Sequence, residues 1–132
     1  MAAWYDLGRI KEAQNDVEGA RAAYGQSLMA DPKFVNPYRQ LIGLYMRQQN
    51  WQEVADTSSK LVKLDPVDFP EAHYYNAVSN FNIKNFDAAE KSVRSLQKLD
   101  TQNQMPKSGK LLGAILIQKG TILAQLSRSR ST

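Results

Sequence analysis

Chemically reactive side chains are scarce in this chain of 132 residues, which contains no cysteine and one histidine. Without cysteine there is no disulfide framework and no thiolate nucleophile, and any redox compartment is allowed. The sequence also lacks a glycine-rich phosphate loop and metal ligands clustered at helical spacing. His73 is the single candidate base, and a lone histidine in a helix is usually a packed or surface residue. We therefore expect no catalytic residue, no metal, no cofactor and no enzyme activity.

Long apolar segments are missing as well. The longest run without a polar side chain covers residues 111–117, far below the roughly 20 residues that a membrane span needs. The first ten residues lack the basic segment and apolar core of a secretory signal. The sequence therefore predicts no contact with a membrane and leaves the localisation open.

The composition is that of an ordinary folded protein, with 42% hydrophobic and 23% charged residues. Seventeen basic against thirteen acidic residues give a net charge of +4. Part of this excess comes from Arg128 and Arg130 near the end of the chain. We expect a single folded domain that is only mildly basic.

A diverged internal repeat dominates the sequence. The stretch from Trp4 to Pro32 begins again 34 residues later, where Trp4 becomes an aromatic residue, Tyr38, and Pro32 becomes Pro66. Leu7 and Asp31 recur in the same way, as Leu41 and Asp65. A fixed period of this length is typical of solenoids built from stacked structural repeats.

Each repeat unit reads as two helices. In the first unit, apolar residues at three- and four-residue spacings predict helices over about 2–14 and 17–30, with Asn15 and Asp16 in the turn. A glycine within a helix costs about 1 kcal/mol against alanine, so Gly8 indicates a close helix crossing. Trp4 and Leu7 belong to the predicted inward stripe of the first helix.

The expected boundaries follow from this periodicity. We predict one repeat domain over residues 1–127, with units at about 1–34, 35–69 and 70–105 and a partial fourth at 106–127, and a disordered tail at 128–132. The fourth unit reads as a helix that starts after Pro106, buries one apolar face and ends near Gly120. Thr121 would then begin a short second helix. Because residue 1 coincides with a unit boundary, we expect the chain to be part of a longer protein. The apolar face of that first helix comprises Leu111, Leu112, Ile115 and Leu116.

The first helix of the third unit has two readings. Without a gap, the unit starts at Pro70 and places three polar residues at normally buried positions, His73, Asn76 and Asn80. That reading leaves Tyr74, Val78 and Phe81 on the exposed side. A shift of one residue, with a deletion in the turn, buries Tyr74, Ala77, Val78 and Phe81 instead.

The pattern of a bulky residue, Leu-Gly, a small residue and an aromatic four apart, and then Pro resembles the tetratricopeptide repeat (TPR) family. The resemblance implies an all-α solenoid of antiparallel helix pairs, wound as a right-handed superhelix, with three units and a partial fourth. It also implies a non-enzymatic scaffold whose concave groove binds a peptide or a segment of a partner protein.

Family positions carried over by register define the predicted groove. Five basic residues against two acidic ones make it net positive, so we expect a peptide ligand with apolar and some acidic side chains. The clamp that some TPR co-chaperones use for acidic carboxyl tails is not expected, because its five positions hold Tyr5, Arg9, Gln40, Glu71 and Tyr75. The thirteen residues of the predicted groove are Tyr5, Arg9, Glu12, Asn36, Arg39, Met46, Arg47, Glu71, Tyr74, Val78, Phe81, Lys107 and Lys110.

The sequence also suggests two other functions, self-association and nucleic-acid binding. The incomplete fourth unit leaves apolar residues uncovered, which predicts a homo-oligomer formed through that end. The basic balance and the terminal Ser-Arg repeats suggest nucleic-acid binding, a weaker alternative because a short basic tail is common.

Overall fold

Seven α-helices and no strand make up the part of the chain that the computed structural model describes, residues 2–99 and 107–130. The predictions about Pro106 and the last two residues lie outside these ranges. Neighbouring helices pack as antiparallel pairs in chain order. The helices are α1 (Ala2–Ala13), α2 (Val17–Ala30), α3 (Val35–Arg47), α4 (Trp51–Leu64), α5 (Pro70–Asn82), α6 (Phe86–Leu99) and α7 (Lys107–Arg130).

The turns within the three complete pairs share one geometry. Asn15, Gln49 and Lys84, which are 34 and 35 residues apart, all have positive φ, at 60°, 55° and 67°. The amide after each donates to the carbonyl five residues earlier at 2.8–2.9 Å, a closure that satisfies a free carbonyl at the helix end. The periodicity of the sequence is therefore a periodicity of backbone conformation.

The crossing of α1 and α2 is as close as Gly8 predicts. A Cβ added to Gly8 would lie 2.5 Å from Cε1 of Tyr24, whose side chain is fully buried. Ala20, one turn before Tyr24, is also fully buried. A side chain at position 8 would therefore displace a central aromatic residue of the core.

The structure agrees with the gapless reading of the third unit. His73, Asn76 and Asn80 are buried, with 6–7% of their surface exposed, whereas Tyr74, Val78 and Phe81 are half-buried. The same helix contributes Ala77, fully buried, to a core cluster shared with α6 and α7. The polar residues thus face the neighbouring helices.

Two predicted core positions are wrong at the start of the chain. Trp4 and Leu7 are exposed, at 44% and 37%, although their counterparts Tyr38 and Leu41 are buried at 8% and 7%. Among the described residues, α3 packs against both α2 and α4, whereas α1 packs mainly against α2, so α3 is covered from two sides and α1 from one.

The fourth unit differs most from its prediction. One continuous helix runs from Lys107 to Arg130 instead of two, so residues 128–130 are helical and not part of a disordered tail. Gly120 lowers helix stability without breaking the helix, and the Thr121 hydroxyl bonds back to the Ile117 carbonyl at 3.0 Å instead of capping a new helix. Ile115 is fully buried, but Leu116 is 44% exposed, because only one face of α7 reaches α5 and α6.

The bounds of the repeat domain stay a prediction. Between residues 2 and 99 and between 107 and 130, no helix has both the length and the apolar character needed to cross a membrane.

Candidate functional site

The predicted groove maps onto the first helix of each unit. Its residues lie on α1, α3, α5 and α7, and none of them is buried. All five arginines and lysines are exposed, whereas the two glutamates and the apolar members are half-buried. Whether these side chains receive a ligand stays a prediction.

Glu12 accepts a hydrogen bond at each carboxylate oxygen, one from Tyr24 of its own unit and one from Arg47 of the second unit. Arg47 of α3 donates from Nη2 to Oε2 at 2.7 Å, and the Tyr24 hydroxyl donates to Oε1 at 2.8 Å. Burial, followed by this bond to Glu12, raises the pKa of the Tyr24 hydroxyl far above its usual range. Tyr24 therefore stays a neutral donor that holds the carboxylate towards Arg47.

A second ion pair joins the next two units. Nη2 of Arg39 on α3 lies 3.6 Å from Oε1 of Glu71 on α5. The Arg39 guanidinium also lies 5.3 Å from the centre of the Phe69 ring, within cation–π range. Both acidic residues of the predicted groove are thus paired with basic residues of the same set.

The positive charge that stays unpaired is therefore smaller than the sequence count suggests. Arg9 makes no ion pair within the described ranges and lies 6.0 Å from the centre of the Tyr5 ring. Lys107 and Lys110, at the start of α7, are likewise without a carboxylate partner among the described residues.

Two adjacent pockets open along α1, α3 and α5. The first, about 400 Å³, contains Arg9, Glu12 and Arg47 in its lining. The second, about 210 Å³, is lined by polar and apolar residues of α3, α4 and α5, including Arg39 and Glu71. Gln40 lines both pockets, so the two openings are neighbours.

The aromatic members of the set are partly engaged in packing. Tyr5 packs edge-on against Phe34 with ring centres 5.3 Å apart, and Phe81 packs in the same way against Phe86 at 5.6 Å. The core of the described ranges consists of two clusters, one formed mainly by α2, α3 and α4 and the other by α5, α6 and α7. Tyr74 and Val78 belong to neither of these core clusters. Of the apolar groove residues on α5, these two are the more available for a ligand.

Register alone missed several lining residues of these pockets, among them Gln40 and Tyr75. Both occupy the sixth position of their unit. The sixth position is one of those at which TPR co-chaperones bind acidic carboxyl tails, so the sequence already indicated that Gln40 and Tyr75 could line a groove.

A metal centre finds no support in the described ranges, where no group of three or more His, Asp or Glu side chains could hold an ion.

Comparison with solved structures identifies the fold. Two matched chains are TPR domains by name: the first TPR of Spaghetti (RPAP3) bound to an HSP90 peptide, with 16% identity and a TM-score of 0.73, and TPR2B of yeast Sti1 in a complex with pHsp70, with 16% and 0.71. The matches cover 90% and 89% of this chain and 92% and 96% of the others. The chain has the fold of a TPR domain.

Sequence identity is higher with another structure, the MamA protein, at 28% with a TM-score of 0.81 over 90% of this chain. The chain spans 63% and 65% of the two MamA chains that it matches first. No protein-family model and no curated protein matches it.

Proposed function

We propose that this TPR chain is a scaffold that binds a segment of a partner protein along α1, α3 and α5. The observation that carries the proposal is the match to TPR structures solved with peptides. RPAP3 was solved with an HSP90 peptide, and SycD of Yersinia enterocolitica, with a TM-score of 0.75 and 15% identity, with a peptide of the translocator YopD. The two neighbouring pockets supply openings in which side chains of such a segment could lie.

The charges specify the ligand further. Arg39 and Arg47 already hold carboxylates of the chain itself, and a ligand carboxylate would have to compete with them. Arg9 lines the larger pocket and has no such partner among the described residues. We assign to it the acidic side chain of the ligand, since arginine can bind a carboxylate with two parallel hydrogen bonds.

Apolar contact falls to α5. Tyr74 and Val78 are half-buried and lie outside both core clusters. Aromatic and branched side chains provide contact area at low entropic cost. A bound peptide would therefore place its acidic residue near α1 and its apolar residues near α5, with an affinity of about micromolar.

A peptide-array screen tests this proposal. Arg9→Gln should remove the acidic peptides from the bound set, and Val78→Ser should remove the apolar ones. Lys60→Gln is the matched control, because Lys60 is exposed on α4, forms no ion pair in the described ranges and lines no pocket described here. The proposal fails if no peptide binds, or if Arg9→Gln leaves the bound set as unchanged as the control does.

Reversing Arg39 and Arg47 would be a poorer test. Each reversal would also break an ion pair between units, so lost binding would have two causes.

Self-association remains an alternative prediction. The second half of α7 exposes Ile122, Leu123 and Leu126 at 41%, 64% and 52%. Light scattering over a tenfold concentration range checks it, and a constant monomer mass would contradict it. Nucleic-acid binding stays a weaker prediction, checked by a salt titration against single-stranded RNA, where phosphate contacts require affinity to fall with salt.

A further inference from the structure

A pocket of about 410 Å³ lies between α4, α5 and α6, and none of its eleven lining residues belongs to the predicted groove. We call it the polar pocket. It contains no acidic residue, and its charged and polar lining includes Lys63, Lys91, His73, Ser59, Ser92 and Ser95.

The pocket occurs where the repeat changes chemistry. Positions 4, 7 and 11 of the second unit are apolar or aromatic, Tyr38, Leu41 and Tyr45, and all three are buried. The third unit has His73, Asn76 and Asn80 there, equally buried at 6%, 7% and 6%. Polar side chains in a core are costly unless they are hydrogen-bonded, so three such exchanges at one place are not explained by packing alone.

Asn76 is the centre of the resulting network. Its Nδ2 donates to the Ala55 carbonyl and to the hydroxyls of Ser58 and Ser59 at 2.9–3.1 Å. Its Oδ1 accepts from the Ser92 hydroxyl at 2.6 Å and from Asn80 Nδ2 at 2.9 Å. The network fixes three polar side chains of the pocket wall, Ser59, Asn80 and Ser92, before any ligand arrives.

Other donors of the wall are unused. Within the described ranges, the side chains of Lys63, Lys91, Ser95 and Asn85 make no hydrogen bond or ion pair. Two of these are cations, one on α4 and one on α6, and they face the same pocket without a carboxylate in its lining. The pocket thus combines two lysine side chains with unused hydroxyl and amide donors, and no acidic residue lines it.

We propose that the polar pocket binds the phosphate group of a small phosphorylated molecule. A phosphate monoester carries about −1.5 to −2 charges and three acceptor oxygens, which matches the two ammonium groups together with the unused donors of Ser59, Ser95 and Asn85. A carboxylate offers half that charge and two oxygens. The volume is within the range of small-molecule sites. This inference does not depend on the proposed peptide groove.

The test is a titration of the isotope-labelled protein, followed by the side-chain amide signals of Asn76 and Asn80, at constant ionic strength. The probes are glycerol 3-phosphate and inorganic phosphate, with acetate as the carboxylate control. We expect a phosphate probe to saturate these signals with a Kd of about 1 mM or below. Binding of the ester identifies a phosphorylated molecule as the ligand, and binding of inorganic phosphate alone identifies free phosphate.

Two double variants control for charge. Lys63→Met with Lys91→Met removes both pocket cations and keeps the length of their side chains, and we expect at least about tenfold weaker binding. Lys60→Met with Lys98→Met changes the net charge equally on the same two helices, away from the pocket, and should alter the Kd less than about twofold. The proposal is overturned if neither phosphate probe saturates the signals, if acetate binds as tightly, or if both double variants weaken binding equally.

Discussion

Replacing Gly8 with alanine tests the packing on which the first repeat depends. The new Cβ would lie 2.5 Å from Cε1 and 2.6 Å from Cδ1 of Tyr24. The ring cannot easily move, because it is fully buried and its hydroxyl is bonded to Glu12 at 2.8 Å. Overpacking of this kind costs about 1–3 kcal/mol of unfolding free energy.

Helix propensity acts in the opposite direction, since alanine is about 1 kcal/mol better than glycine inside a helix. Gly43→Ala isolates this gain, because Gly43 lies within α3 and an added Cβ there meets no atom within 4 Å. The difference between the two variants therefore equals the overpacking cost, about 1–3 kcal/mol. For a chain of this length that is a Tm difference of roughly 4–12 °C.

Urea denaturation followed by circular dichroism measures this difference, with linear extrapolation to water for each variant. Gly43→Ala should be more stable than the wild type, and Gly8→Ala less stable than Gly43→Ala. If the two alanine variants are equally stable, the ring of Tyr24 does not fill the space above Gly8, and the predicted reason for glycine in this repeat is wrong.

The ion pairs between Lys119 of α7 and the acidic residues of α6 predict that stability depends on pH. The hydrogen bond from Lys119, followed by that from Arg94, lowers the pKa of Glu90. Hydrogen bonds to Asp87 and then to Glu90 raise the pKa of Lys119. The contribution of Glu90 to stability is therefore complete above about pH 4.3 and is lost as the pH falls through its lowered pKa. The contribution of Lys119 is complete below about pH 10.4 and is lost as the pH rises through its raised pKa. Glu90→Gln should thus lower stability at pH 7 but not at pH 2, as measured by denaturation at both pH values. The control is Glu53→Gln, which removes no ion pair. An equal loss of stability at both pH values for Glu90→Gln would contradict the role of these ion pairs. Asn76→Ala should cost about 2–3 kcal/mol, because it leaves buried partners in the polar network unsatisfied. Asn82→Ala, which removes one exposed bond to the Val78 carbonyl, should stay within about 0.5 kcal/mol, and equal costs for the two variants would refute the network.

Much of the repeat could be predicted because its signals are local. Proline after Asp31 ends a helix through its own geometry, and the predicted bounds of α2 match the structure. Gly8 indicated a close crossing because glycine has no other advantage inside a helix. Such signals act within one or two turns of chain, where sequence neighbours are also spatial neighbours.

The candidate site was predictable only as a set of positions. Register placed Glu12 and Arg47 on the same face, but not in contact, and the structure joins their side chains at 2.7 Å. The same holds for Arg39 and Glu71. Their pairing depends on the packing of separate helices, which periodicity does not describe, so a count of charges overstated the free positive charge.

The ends of the solenoid show the same division. Trp4 and Leu7 fit the repeat pattern as well as Tyr38 and Leu41 do, yet only the second pair is buried, because burial needs a helix from the neighbouring unit. Likewise, Gly120 and Thr121 resemble a helix end, but α7 continues through both. The position of a residue in the repeat can be predicted from the local sequence, whereas its burial depends on another segment of the chain that packs against it.

The sequence by itself determined the all-α repeat architecture, the repeat period and the positions of α1 and α2, since each depends on local backbone preference and on the spacing of apolar residues. Only the tertiary structure decided which arginines are already paired, which apolar residues are covered, and that Asn76 and Asn80 join Ser59 and Ser92 in one polar network between α4, α5 and α6. Those outcomes depend on contacts between residues about 15–35 positions apart, whose energies are set by packing geometry rather than by the residues alone.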